Sequence, residues 1–115
     1  MKTTVEQEVR RAYSDCTNSN FEEAVKTRNL DFKASEPVSR TEASRIMGLA
    51  IPNGYNEFTT ANLRHLPADS MIQIAREGSV CIYVAGKLDG KIATALNCDE
   101  FDYEPTTNQT RIWWD

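Results

Sequence analysis

Part-way along this 115-residue chain the apolar residues change spacing, from helical intervals of three and four to alternation. That switch restricts the fold to helices and strands laid out in separate segments. Up to about residue 66 the pattern is one of short helices. The first is expected to start at Thr3 or Thr4, each with Glu6 or Gln7 three residues on, as a capping box requires. Val5, Val9, Ala12, Tyr13 and Cys16 then share one face. A second box, Ser19 to Glu22, opens a helix carrying Phe21, Ala24 and Val25 inward, with Asn29 as its left-handed stop. The third, Ser39 to Glu42, follows Pro37 and starts a helix with Ala43, Ile46 and Met47 inward, which Gly48 is expected to end. Each box places an acceptor where the first N–H groups of a helix lack partners. Between the second and third, Leu30, Phe32 and Ala34 alternate with Asp31 and Lys33 as a short strand. Ile51 to Phe58, with Pro52, Asn53 and Gly54, reads as a turn or exposed loop. Thr59 or Thr60 can cap a helix of about six residues that Pro67 stops.

Beyond Pro67 the pattern is that of strands. Ile72 and Ile74 make Met71 to Ala75 a strand, although Asp69 or Ser70 leaves a short helix open as an alternative. Asp89-Gly90 is a dipeptide favoured in two-residue type I′ turns, so Val80 to Leu88 and Lys91 to Cys98 are expected to form a hairpin around it. That register sets Tyr83 against Leu96, Val84 against Ala95 and Cys81 against Cys98. Both faces of the hairpin are mostly apolar, which places it centrally in a sheet. After Pro105 to Gln109, Arg111 to Trp114 reads as a last strand returning beside Phe101 to Glu104. The expected fold is a single α+β domain over residues 1–115, with short N-terminal helices packed on one face of a C-terminal antiparallel sheet of three to five strands.

Several function classes are poorly served by these residues. A formal net charge of −4 argues against direct nucleic-acid or anionic-membrane binding, which need an excess of Lys and Arg. The N-terminal residues Met1 to Glu6 lack an apolar export segment, and no run approaches the ~20 apolar residues of a membrane span. Cys16, Cys81 and Cys98 have no metal or redox spacing, so reduced thiols in a cytoplasmic protein are expected. The lone histidine, His65, has no nucleophile motif near it, and the five glycines are too scattered to cradle a phosphate. The expectation is a protein without catalytic residues, cofactor or metal.

What stands out is the C-terminal stretch. The last 17 residues hold five acids (Asp99, Glu100, Asp102, Glu104, Asp115) and one base, Arg111, which accounts for the whole net charge. Residues i and i+2 of a strand share a face, ~6.6 Å apart along it. Glu100, Asp102 and Glu104 therefore form a row of carboxylates, with Phe101 and Tyr103 on the opposite, buried face. Such a row guards a sheet edge against aggregation, or recognises Lys and Arg on a partner. Trp113 and Trp114, as neighbours in a strand, face opposite ways. One is expected to join the core while the other covers an edge or meets a partner, as Trp does in interface hot spots.

The profile as a whole is small, acidic and motif-poor. It resembles that of the phage and plasmid proteins that block host defence nucleases such as CRISPR or restriction complexes. The resemblance implies a stoichiometric inhibitor occupying a basic surface on a nuclease or other nucleic-acid-handling protein, with Asp99, Glu100, Asp102, Glu104, Trp113 and Trp114 as its contact residues. Two other readings stand beside it. One is a small enzyme or small-molecule-binding domain with a pocket between sheet and helices. The other is a structural subunit that forms a homo-oligomer through its C-terminal strand.

Overall fold

The computed structural model describes residues 4–16, 31–34, 36–55 and 57–115, with the backbone alone for Asp15. The helix expected over residues 19–29, and Leu30 of the short strand, lie outside the described residues. Helix α1 spans Val5–Ala12. Its capping box is the one anchored at Thr4: Thr4 Oγ1 accepts from the Gln7 N–H at 3.2 Å, and Gln7 Oε1 accepts from the Thr4 N–H at 3.0 Å. Val9, Ala12 and Tyr13 are buried, and Val5 and Cys16 pack half-buried against the same core. A single 3-10 turn, Ser14–Cys16, follows.

Helix α2, Arg40–Ala50, begins where the third box places it, with Ser39 Oγ accepting from the Glu42 N–H at 3.2 Å. Gly48 does not end it. The helix runs on because Ala50 and the following Ile51 are both buried, and that burial offsets the ~1 kcal/mol a helical glycine costs. A 3-10 helix, Thr60–His65, packs alongside, where a Cβ on Gly48 would sit in ordinary contact, 3.8 Å from the Thr60 methyl. This second helix is the short one expected after Thr59, whose N–H donates to Asn62 Oδ1 at 2.7 Å.

Among the described residues the sheet is antiparallel throughout and has six strands, one above the expected range. They are β1 (Asp31–Lys33), β2 (Val38–Ser39), β3 (Met71–Glu77), β4 (Ser79–Ala85), β5 (Glu100–Glu104) and β6 (Gln109–Trp113). Their order is β1-β3-β4-β6-β5, and the two-residue β2 lies beyond β1 on the same edge of β3. The α+β architecture is thus as the patterning requires.

The central hairpin is not the expected one. β4 pairs with β3 on one edge and β6 on the other, so Tyr83 faces Gln73 and Arg111, and Cys81 faces Ala75 and Trp113. No edge of β4 is left for residues 91–98, and none of the expected pairs, Tyr83 with Leu96, Val84 with Ala95 or Cys81 with Cys98, forms. That segment is instead a short helix, α3 (Ile92–Leu96), entered through Asp89, whose Oδ1 accepts from the Lys91 N–H at 2.9 Å. Ile92 and Leu96, four apart, share a helical face toward the core, whereas in a strand the alanines between them would have had nothing to fill. Asn97, at φ 56°, closes the helix. The turn that does join the central strands is at Gly78, at φ +73°.

One sheet face and the helices enclose the core. Ile72, Ile74, Val80, Ile82, Val84 and Ile112 lie inward and pack with Ala43, Ile46, Met47, Leu63 and Leu96. Arg76 is also inward and fully buried. Its Nη1 donates to the Ala12 carbonyl at the end of α1 at 2.9 Å, and its guanidinium lies 5.0 Å from the centroid of the Tyr13 ring. A cation at a helix C-terminus is favourable, and this one ties α1 to the sheet. Tyr13 completes the tie by donating to the Ala75 carbonyl at 2.5 Å.

Candidate partner-binding face

Register decides which side chains share the face turned away from the helices. Glu100 stands opposite Trp113, Asp102 opposite Arg111, and Glu104 opposite Gln109. The same rows continue across β4 and β3 to Cys81 and Ala75, and to Tyr83 and Gln73. Glu100, Asp102 and Glu104 are therefore on one face of strand β5, all exposed. Phe101 and Tyr103 point the other way and are half-buried. Phe101 packs against the core, and the Tyr103 hydroxyl donates to Asn108 Oδ1 at 2.7 Å. Asp99 precedes the strand, exposed, and its Oδ2 accepts from the Asp115 N–H at 2.7 Å.

The two tryptophans separate as neighbouring strand residues must. Trp114 is in the core, fully buried, with its ring edge-on to Phe58 (centroids 4.8 Å apart) and its Nε1–H donating to the Leu96 carbonyl at 2.9 Å. Trp113 is half-buried on the carboxylate face, its Nε1–H donating to the Glu77 carbonyl at 2.9 Å. Five of the six residues singled out from the sequence are thus brought to this face or its margin, and Trp114 is not.

Between the row and the middle of the sheet lies a polar network that sequence reasoning missed, centred on Glu77 at the end of β3. Arg111 reaches over β4 to place Nε at 2.9 Å and Nη2 at 2.7 Å from Glu77 Oε1, while its Nη1 pairs with Glu100 at 2.7 Å. The Tyr83 hydroxyl also donates to Glu77, and the Cys81 thiol lies 3.6 Å from it. Partial burial would raise the Glu77 carboxyl, but the hydrogen bonds from Arg111 and Tyr83 outweigh it and hold the group below its ordinary value. Burial likewise works against the Arg111 charge and loses to its two carboxylate partners. Burial, with the neighbouring Glu77 charge, pushes the Cys81 thiol up and keeps it protonated, so it is not a nucleophile. On the far side, Lys33 Nζ sits 4.1 Å above the centre of the Tyr83 ring and donates to Gln109 Oε1 at 3.3 Å. Gln109 in turn donates to Gln73 at 2.7 Å, and Gln73 to the Ala34 carbonyl at 3.0 Å. The signal that was there to read is the alternation of Gln73, Ala75 and Glu77 against Ile72 and Ile74.

This network changes the electrostatics of the row. Glu100 is paired with Arg111, whose charge it shares with Glu77, whereas among the described residues no ion pair reaches Asp102 or Glu104. The uncompensated charge sits at the outer edge of the sheet, beside a fixed platform of Arg111, Tyr83 and Trp113. Among the described residues, no three His, Cys, Asp or Glu side chains converge as a metal site, and no helix is long and apolar enough to cross a membrane. His65 is exposed at the end of its 3-10 helix. Two surface grooves, of about 470 and 750 Å³, are formed on the helical side, and neither is lined by His65 or Tyr83. The chain matches no family model, no curated protein and no solved structure.

Proposed function

We propose that this protein is a non-enzymatic binding protein whose acidic β5 face engages a basic surface on a protein partner. The finer form of the reading is a stoichiometric inhibitor that occupies the nucleic-acid site of a nuclease or related defence complex. The observation that carries it is the pair of exposed carboxylates Asp102 and Glu104, left without a cation of their own beside a platform already held in place. Exposed acids steer a basic partner from a distance and speed association, an effect that salt weakens. A pre-positioned Trp113 ring supplies the short-range contact that slows release.

The test uses a variant that spares Glu100, because reversing that residue would set a lysine against Arg111. Asp102→Lys with Glu104→Lys should keep the parent's thermal stability. In capture from nuclease-treated host lysate, a partner retained by the parent should be lost from the double variant and displaced from the parent by added duplex DNA. In binding kinetics at two salt concentrations, the variant should associate more slowly and lose most of the salt dependence. A partner held equally by both proteins, with binding indifferent to salt and to DNA, would reduce these acids to a wet sheet edge.

A further inference from the structure

A second, oppositely charged feature lies on the helical side, independent of the β5 face. The groove of about 470 Å³ between α2 and the 3-10 helix Thr60–His65 is lined by Arg40, Thr41, Ser44 and Arg45 from the helix, and by Thr60 and Arg64 among its other wall residues. No carboxylate lines it, on a chain whose net charge is −4. Its cations are not equivalent. Arg45 is committed elsewhere, with Nε 2.5 Å from Glu42 and Nη1 2.8 Å from Glu6. Arg40 is fixed in place by Nη1, which donates to the Leu66 carbonyl at 2.7 Å and the Arg64 carbonyl at 3.3 Å, and no ion pair reaches it among the described residues. Arg64 is exposed and makes no ion pair or side-chain hydrogen bond among the described residues, and the same holds for the hydroxyls of Thr41, Ser44 and Thr60. Two uncompensated guanidinium groups and three unused hydroxyls thus surround one concavity, at the first turns of α2 where the helix dipole adds positive potential.

We infer that this groove binds a small phosphorylated ligand. Guanidinium forks and hydroxyls are the donors that suit phosphate oxygens. The wall also argues against a nucleic-acid strand, since no aromatic side chain is present on which a base could stack.

Isothermal titration at fixed ionic strength tests this with inorganic phosphate, pyrophosphate and ribose 5-phosphate as probes. Pyrophosphate should bind one per chain and more tightly than phosphate. Ribose 5-phosphate binding tighter than phosphate means the hydroxyls read a sugar, and equal binding means the phosphate alone is read; both support the inference. Arg64→Gln, at an exposed position that leaves melting unchanged, should weaken pyrophosphate by about tenfold, the equivalent of one charge-assisted contact. The Thr41→Val, Ser44→Ala double variant provides a charge-neutral control that should also weaken it. Absence of saturable pyrophosphate binding, or binding untouched by either variant, overturns the inference. So does a single-stranded oligonucleotide that outcompetes pyrophosphate.

Discussion

Replacing Glu77 by glutamine tests whether the outer face is held together as described. The side chain keeps its size and one acceptor oxygen but loses the charge to which Arg111 and Tyr83 donate. Hydrogen bonds to a charged group contribute about 1.5–3 kcal/mol, while an exposed ion pair contributes about 0–1 kcal/mol. With side-chain exposures of 17% for Arg111 and 32% for Glu77, this pair falls between the two cases. The upper figure is cut by solvent screening, and the expected loss is ~1–2 kcal/mol. For a domain of this size that corresponds to a fall in Tm of about 4–8 °C. Urea unfolding at pH 7 measures it directly, and pairing Glu77→Gln with Arg111→Met in a double-mutant cycle should return a coupling of about 1 kcal/mol.

The pH dependence carries the sharper test. The folded Glu77 carboxyl lies below its ordinary value of 4.5. Its contribution is therefore fully present above pH 4.5 and is lost as pH falls through the folded value. The stability gap between the parent and Glu77→Gln should be constant from neutral pH down to about 5 and then close on further acidification. A gap that is absent at pH 7, or that persists unchanged in acid, would refute the assignment of Glu77 as the charged centre of this face.

Three other perturbations discriminate between features that look alike in the sequence. Gly54→Ala should be the most damaging glycine substitution, because its Cβ would stand 2.5 Å from the Phe58 carbonyl oxygen at φ +76°, whereas Gly90→Ala, with nothing within 4 Å and no positive φ, should leave the urea midpoint unchanged. Trp114→Ala should cost about 3–5 kcal/mol as a core truncation, while Trp113→Ala should leave a cooperatively folded protein by near-ultraviolet circular dichroism. Thiol labelling of the native protein should spare the fully buried Cys81 and proceed at the half-buried Cys98, and mild oxidation should not join the two; a disulfide between them would contradict the strand order.

Local rules carried the reading wherever the determinant was itself local. Thr4 with Gln7 and Ser39 with Glu42 start their helices because an acceptor three residues from an orphan N–H works in any tertiary setting. The pairing of β5 with β6 is likewise legible, since two short alternating runs flank a turn. Asp89-Gly90 failed for a reason that turn chemistry cannot contain. A strand has two edges, and β4 filled one with β3 through the Gly78 turn and the other with the C-terminal β6. Once both were taken, residues 91–98 could join the sheet only at its rim, where Leu96 would lose its place beneath Trp114. The helix keeps Leu96 buried and gives its carbonyl to the Trp114 indole.

The same dependence on strand order explains why the carboxylate row is uniform in sequence and graded in structure. Asp102 stands directly opposite Arg111, and with only β5 and β6 in view it would be the natural partner of that guanidinium. β3 changes the outcome, because its last residue, Glu77, reaches the Arg111 fork from across β4. Arg111 turns its Nε and Nη2 inward to Glu77 and its Nη1 along the face to Glu100, and in that orientation it makes no ion pair with Asp102. An internal acid from the opposite half of the sheet thus frees an outer one. The surface charge of β5 is therefore set by Glu77, a residue 23 positions upstream of the strand's start and absent from the acidic stretch. Loss of the Glu77 charge should release Arg111 toward Asp102, and so lower the negative charge presented at the edge even though no residue of β5 has changed.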